Sequence, residues 1–279
     1  MLGKLLKYET KATARWFLPM YAGILLFAVL NKIFMLFNFS DRDVHGIPVF
    51  LQSLLGIVQA MTIFLYVMII IATFALTFFI MLQRFYKNLL GDEGYLMFTL
   101  PVNASSHIWS KLLVSVFWTV CSVIVTILSV IVMAAYPEMF RDFALFCGKA
   151  FEVLFTRTGL NATAFFIELV LFMLVSLFAG NLVFYASISV GHTRGKHRVL
   201  YSFIAYIVFY MIQQIVTSLA LVIAGMFMDT NYWADLIMDT APTALIHTIL
   251  IFSIVYQVVA GVVYYLITNY VLSKKLNLE

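Results

Sequence analysis

The chain has 279 residues, of which 64% are hydrophobic and 11% charged, and its mean hydropathy is +1.03. A water-soluble globule carries about 25% charged residues, so this composition excludes one and makes lipid the solvent. The formal net charge of +4 needs no nucleic-acid partner, because retention of basic loops at an anionic inner leaflet accounts for it.

Apolar runs near 16–38, 54–82, 109–136, 163–190, 199–228 and 245–271 each exceed the roughly 20 residues that cross a bilayer as a helix. They are continuous instead of alternating in segments of about 10 residues, which excludes a barrel reading. The expected fold is all-α: a polytopic membrane protein with six transmembrane helices. It forms one membrane domain over 1–279, with no stretch left for a separate soluble domain.

The N-terminal MLGKLLKYETKATARW places Leu2, Leu5, Leu6 and Ala12 among lysines and ends at Trp16, which predicts a short interfacial helix. That helix is either a plain anchor or a partner contact. The apolar run after it is longer than a signal core of about 7–15 residues and no small-x-small site closes it, so it is read as a retained span. The second apolar stretch, from Ile47 to Leu82, would be roughly 54 Å long as a helix against a hydrocarbon core of about 30 Å. It must tilt, break or project beyond the membrane, continuing through Arg84 toward Asn88 until Gly91 ends it.

The passage from Arg84 to Val102 reads RFYKNLLGDEGYLMFTLPV. Gly91 and Gly94 bracket Asp92 and Glu93, which predicts a turn with two exposed carboxylates. Tyr95, Leu96, Met97, Phe98 and Leu100 then form an apolar patch that lipid or another protein must cover. Pro101 interrupts any smooth helix there, and Asn103, Ser105 and Ser106 offer caps for the third span.

After that span, Phe140, Phe143, Ala144, Cys147, Phe151 and Leu154 recur three or four apart, which predicts an amphipathic surface helix over 137–160. The stretch DTNYWADLIMDTAPTALIH from Asp229 reads either as a short helix or re-entrant turn at headgroup level or as a loop with interfacial aromatics. Cys121 falls in the third span and Cys147 beyond it, which makes no disulfide framework.

Basic residues set the orientation, since positively charged loops are retained inside. With the N-terminus inside, the inner segments hold Lys4, Lys7, Lys11 and Arg15, then Arg84, Lys87 and Lys111, then Arg194, Lys196 and Arg198, then Lys274 and Lys275. The outer ones hold Arg42, Arg141, Lys149 and Arg157. Both termini and the segment 84–108 are therefore expected in the cytoplasm, and the 137–160 helix outside.

Within the spans, Glu168 is the costliest residue. It lies about two turns from the outer end, which favours structural pairing or vestibule lining over proton coupling. Gln59, Asn181, Gln213, Gln214 and Gln257 are candidates for interhelical hydrogen bonds or for lining a pathway. His247 and Lys32 complete the polar set, and nothing clusters as a metal site or a nucleophile with its base would require. The run Gly191-His-Thr-Arg-Gly195-Lys196-His197 has three residues between its glycines where a phosphate loop needs four, and His where it needs Ser or Thr. No ATP site is expected in this chain.

The passage RFYKNLLGDEGYLMFTLPV, followed after a short polar stretch by SKLL, resembles the segment between the second and third spans of ABC-2-type permeases. These are the membrane subunits of ATP-binding-cassette exporters, and the wording is most similar to stand-alone permeases of Gram-positive bacteria. The plan of six spans with both ends inside is similar too, whereas the other spans match in topology alone. The resemblance implies that the first cytoplasmic loop carries a coupling helix docking on an ATPase subunit. Asn88, Leu89, Leu90, Gly91, Asp92, Glu93, Gly94 and Tyr95 would occupy it. His192, Arg194 and Lys196, in the loop GHTRGKHR, would make a second inner contact.

The resulting expectation is a permease subunit in a bacterial plasma membrane, not itself an enzyme. It would pair with a second permease, identical or homologous, and with ABC ATPase subunits that hold ATP and Mg. Its cargo would be a peptide or other amphipathic compound. The alternatives are an ion-coupled carrier or channel, with Glu168, Gln213, Gln214 and Gln257 as pathway candidates, and an intramembrane lipid-modifying enzyme.

Overall fold

A computed structural model describes residues 2–36, 48–90, 103–134, 137–157, 161–194, 197–227 and 242–274. The described residues form seven α-helices: α1 (Leu2–Leu36), α2 (Val49–Phe85), α3 (Ala104–Ala134), α4 (Pro137–Phe151), α5 (Ala162–His192), α6 (Arg198–Phe227) and α7 (Pro242–Lys274). A π-helical turn, Tyr86–Leu90, continues α2, and another, Glu152–Arg157, continues α4. All but α4 are long and apolar enough to cross a membrane, and the chain is a multi-pass membrane protein. In lipid every backbone polar group must be satisfied within its own segment, which is why the apolar runs are helical.

Helix ends follow local chemistry. Pro137 and Pro242 occupy the first position of α4 and α7, where a missing N–H costs nothing. The Asn161 side chain accepts the Ala164 N–H at 3.2 Å and caps α5. α3 begins directly after Asn103, whose carbonyl accepts the Ser106 N–H at 2.9 Å.

α1 differs from expectation. It is one helix of 35 residues, and no separate element ends at Trp16. Pro19 lies inside it and removes the bond to the Arg15 carbonyl, yet the helix runs through. Packing explains this: Glu9, Thr13 and Phe17 are buried, so the turns expected at the interface belong to the same packed rod as the span. α2, at 37 residues, is as long as its sequence required. The turn at Gly91–Gly94, the apolar patch 95–100, Lys196 and the segment after Asp229 lie outside the described residues.

The chain divides into two compact units, Met1–Gln83 with Leu113–Phe143, and Arg84–Leu112 with Ala144–Glu279. In the first, Phe17, Tyr21, Met81, Val114 and Trp118 form one cluster, with the Phe17 and Trp118 rings stacked at 4.5 Å. Ile24, Ala28 and Tyr66 form another. Polar pairs stitch these helices together. Trp118 Nε1–H donates to Thr13 Oγ1 at 2.7 Å, and the Tyr21 hydroxyl lies 2.8 Å from Ser122 Oγ, which is 3.1 Å from Thr77 Oγ1. Tyr66 pairs with Ser129 at 2.8 Å, and Asn31 and Thr62 bond reciprocally, at 3.0 Å and 3.2 Å.

The second unit is built on α5, which packs against α6 and α7. Its core joins Phe85, Leu89, Leu90, Ile108, Leu112, Leu182, Val183, Tyr185, Ala186, Tyr264 and Leu272. Small residues set its closest crossings. A Cβ at Gly191 would stand 2.5 Å and 2.6 Å from the backbone N and Cα of Ser202, so α5 and α6 touch where only hydrogen fits. At Gly261 a Cβ would lie 3.7 Å from that of Ala179, an ordinary contact between α7 and α5.

Candidate functional site

The end of α2, from Arg84 onward, belongs to the second unit and is held in that unit's core by three residues. Phe85 is fully buried, its ring parallel to that of Tyr185 at 4.0 Å, and Leu89 and Leu90 enter the same core. Between them Tyr86 sets its ring edge-on against His192 at 4.9 Å, while Lys87 is exposed. The segment expected to dock on a partner thus turns Leu89 and Leu90 inward as anchors. Asn88 sits on the same π turn, and Gly91, Asp92, Glu93, Gly94 and Tyr95 fall outside the described residues. A π turn lets consecutive hydrophobic side chains face one core at the cost of poorer helix geometry, an irregularity frequent at functional sites.

The α5–α6 connection is compact. His192 is buried at the last position of α5, and the Thr193 N–H closes the helix on the Val190 carbonyl at 3.1 Å. Arg194 is exposed, its guanidinium 5.8 Å from the Tyr201 ring centroid. His197 takes the left-handed conformation, φ 55°, before α6 begins. Gly191 is helical and serves the crossing with Ser202, a packing reason for a glycine that a sequence scan meets first as a fragment of a phosphate loop. Through Tyr86 and His192, the π turn after α2 and the end of α5 are adjacent.

Glu168 has a partner. Its Oε2 lies 2.7 Å from Nδ1 of His247, linking α5 to α7, and both side chains are part-buried. Of the remaining candidates, the Asn181 amide donates to its own helix at Leu177 O, 2.7 Å. Gln213 accepts the Tyr256 hydroxyl through its backbone carbonyl at 3.3 Å, and the Gln214 side chain is exposed. Gln59 Oε1 is buried with no hydrogen bond among the described residues. Gln257 lines a cavity of about 260 Å³ with Trp109, Phe178, Gly261 and Tyr265, at the middle of α5 and α7, and the Tyr265 hydroxyl is held by Ser105 Oγ at 2.6 Å. Among the described residues no three His, Cys, Asp or Glu side chains converge.

The polar pairs of the first unit escaped the sequence reading, which looked for amides and charges. A signal was present: Ser115, Ser122 and Ser129 recur every seven residues, which puts them on one face of α3, and all three are buried.

Comparison with protein-family models, with curated proteins and with solved structures finds no match.

Proposed function

We propose that the chain is the permease subunit of an ATP-driven exporter, receiving force from separate ATPase subunits at the segment that follows α2. The observation that carries this reading is the anchoring of residues 85–90. Phe85, Leu89 and Leu90 are buried in the core of the second unit, and Tyr86 rests on His192 at the end of α5. A push delivered to residues 91–95 therefore reaches α5, α7 and the α5–α6 connection through packed side chains instead of a slack loop, which mechanical coupling requires. Polar groups near the anchor, with Arg194 and Lys196 in the next connection, are the contact surface in this reading. Asp92 and Glu93, the next charged residues in the sequence, would complete it. Cargo of amphipathic character suits apolar helices with isolated amides such as Gln257. A second permease copy completes the route, and ATP and Mg belong to the ATPase.

The test is reconstitution of the chain with its candidate ATPase in lipid, comparing wild type with a variant whose residues 91–95 are a Gly/Ser linker. The replacement spares Leu89 and Leu90, so folding is preserved. The expected result is normal insertion with loss of both the stable complex and ATP-driven transport. A variant that binds the ATPase and transports normally overturns the reading.

The Glu168–His247 pair favours a second reading, an ion-coupled carrier, because ionisable side chains paired between two spans are costly in lipid and mark ion pathways. Transport by the wild type with no ATPase present, driven by an imposed pH gradient, would establish it in place of the first.

A further inference from the structure

We propose that α4 lies along the membrane interface, its aromatic face sunk among phospholipid acyl chains and its charged face in water. The partner of this helix is the bilayer itself and not a second protein. This assignment is independent of the exporter reading, since a permease and a carrier would present the same helix.

α4 is the most amphipathic of the seven described α-helices. At about 100° per residue, Phe140, Phe143, Cys147 and Phe151 fall on one side, with Phe146 at its margin. Arg141, Asp142 and Lys149 fall on the other, with Leu145 among them. The rings find no cover within the chain: Phe140, Phe143, Phe146 and Phe151 are 52%, 64%, 69% and 50% exposed. Residues 140–149 are all exposed, and a Cβ added at Gly148 would meet nothing within 4 Å. So many bare rings on one short helix make a patch that lipid or protein must cover.

Two observations favour lipid. The first is the tether: α3, a membrane-crossing helix, ends at Ala134 and α4 begins at Pro137, so the first turn of α4 starts within about 11 Å of the end of that span. The second is continuity with a surface that already faces hydrocarbon. Phe151 and Phe155 lie 4.6 Å apart, and Phe155 meets Phe165 and Phe166 of α5 at 5.7 Å each. Phe166 is itself exposed, as are Ile167 and Val170 beyond it on α5, and exposed apolar residues on a span meet acyl chains. The aromatic face of α4 thus runs on into the flank of a span. The opposite side suits water: Arg141 and Asp142 pair at 3.6 Å with both side chains exposed. Charges of both signs select no anionic headgroup, so the occupant is the apolar boundary of any phospholipid leaflet, as for other amphipathic helices lying in the interface.

The experiment uses Cys147, which is exposed on the aromatic face, as the attachment point for a nitroxide spin label. The full chain carrying Cys121→Ala is labelled and reconstituted in phosphatidylcholine vesicles, and a second chain carries Cys121→Ala, Cys147→Ser and Lys149→Cys, which moves the label to the charged face. Collision of each label with oxygen, which concentrates in hydrocarbon, is compared with collision with a water-soluble nickel chelate. The label at Cys147 is expected to meet oxygen in preference to nickel, at a depth of about 5–10 Å into the boundary between headgroups and acyl chains. At Lys149→Cys the preference should invert. Nickel access at both positions would overturn the proposal, because water would then cover the aromatic face. A Cys147 label shielded from both reagents would overturn it too, because a protein surface would be the cover. A second measurement leaves Cys121 in place: a photoreactive benzophenone side chain replaces Phe143 in the otherwise wild-type chain, in the same vesicles. Irradiation should give a phospholipid adduct by mass spectrometry, and a crosslinked dimer of the chain in its place would overturn the proposal.

Discussion

The two units of the molecule hold their helices together by different chemistry. In the first, α1, α2 and α3 are joined at intervals by hydroxyl, amide and indole pairs: Thr13 with Trp118, Tyr21 and Thr77 with Ser122, Asn31 with Thr62, Tyr66 with Ser129. In the second, the Glu168–His247 pair joins α5 to α7, but the contacts at the anchor and at the closest crossings of α5 are shape contacts: Phe85 stacked on Tyr185, Phe184 on Tyr206, Gly191 against Ser202, Gly261 against Ala179. The difference has a physical meaning in lipid. Apolar burial supplies little drive between helices there, so association rests on close packing and on hydrogen bonds that have no water to compete for them. A hydrogen-bonded pair fixes register but tolerates small shifts in side-chain volume. A packed crossing transmits displacement and is sensitive to a single methyl. The unit that carries the candidate coupling anchor is the packed one.

The contrast can be broken experimentally, and the largest effect is expected at the anchor. Phe85→Ala removes a fully buried ring and should cost about 3–5 kcal/mol, read as a fall in the midpoint of denaturant unfolding in micelles. Next comes the glycine pair in the same unit. Gly191→Ala forces a methyl into the Ser202 backbone and should cost about 1–3 kcal/mol, whereas Gly261→Ala adds a methyl at ordinary contact distance and should leave the midpoint nearly unchanged. The smallest effect belongs to the first unit. Tyr66→Phe removes one of the inter-helix hydrogen bonds and leaves Ser129 able to bond its own helix at Thr126 O, so about 0.6 kcal/mol is expected. If Tyr66→Phe proved as damaging as Phe85→Ala, the distinction between a stitched unit and a packed one would fail.

Much of the fold was legible locally. The start of α3 follows from Asn103, and α4 follows from the three- and four-residue spacing of Phe140, Phe143, Cys147 and Phe151. The continuity of α1 was not, because lysines beside leucines describe an interfacial helix as well as the exposed side of a packed one, and only the burial of Thr13 and Phe17 separates them. The inward turn of Leu89 and Leu90 was equally hidden, since a π turn alters which residues share a face without altering their order. Glu168 could be singled out by its cost in a span, but its partner His247 lies 79 positions away, and no local pattern joins them.

By itself, then, the amino-acid sequence determined the solvent, the helical class and the six membrane-crossing segments, because each depends on the run length and apolarity of one stretch of chain. Which face of each helix meets another was left to the tertiary structure. α5 and α7 show almost no amphipathic periodicity, as expected where lipid and protein core are equally apolar and the pattern that marks an inside in water is erased. Steric fit between distant residues decided the matter: a glycine opposite Ser202, a phenyl ring over Tyr185, two leucines closing the end of α2.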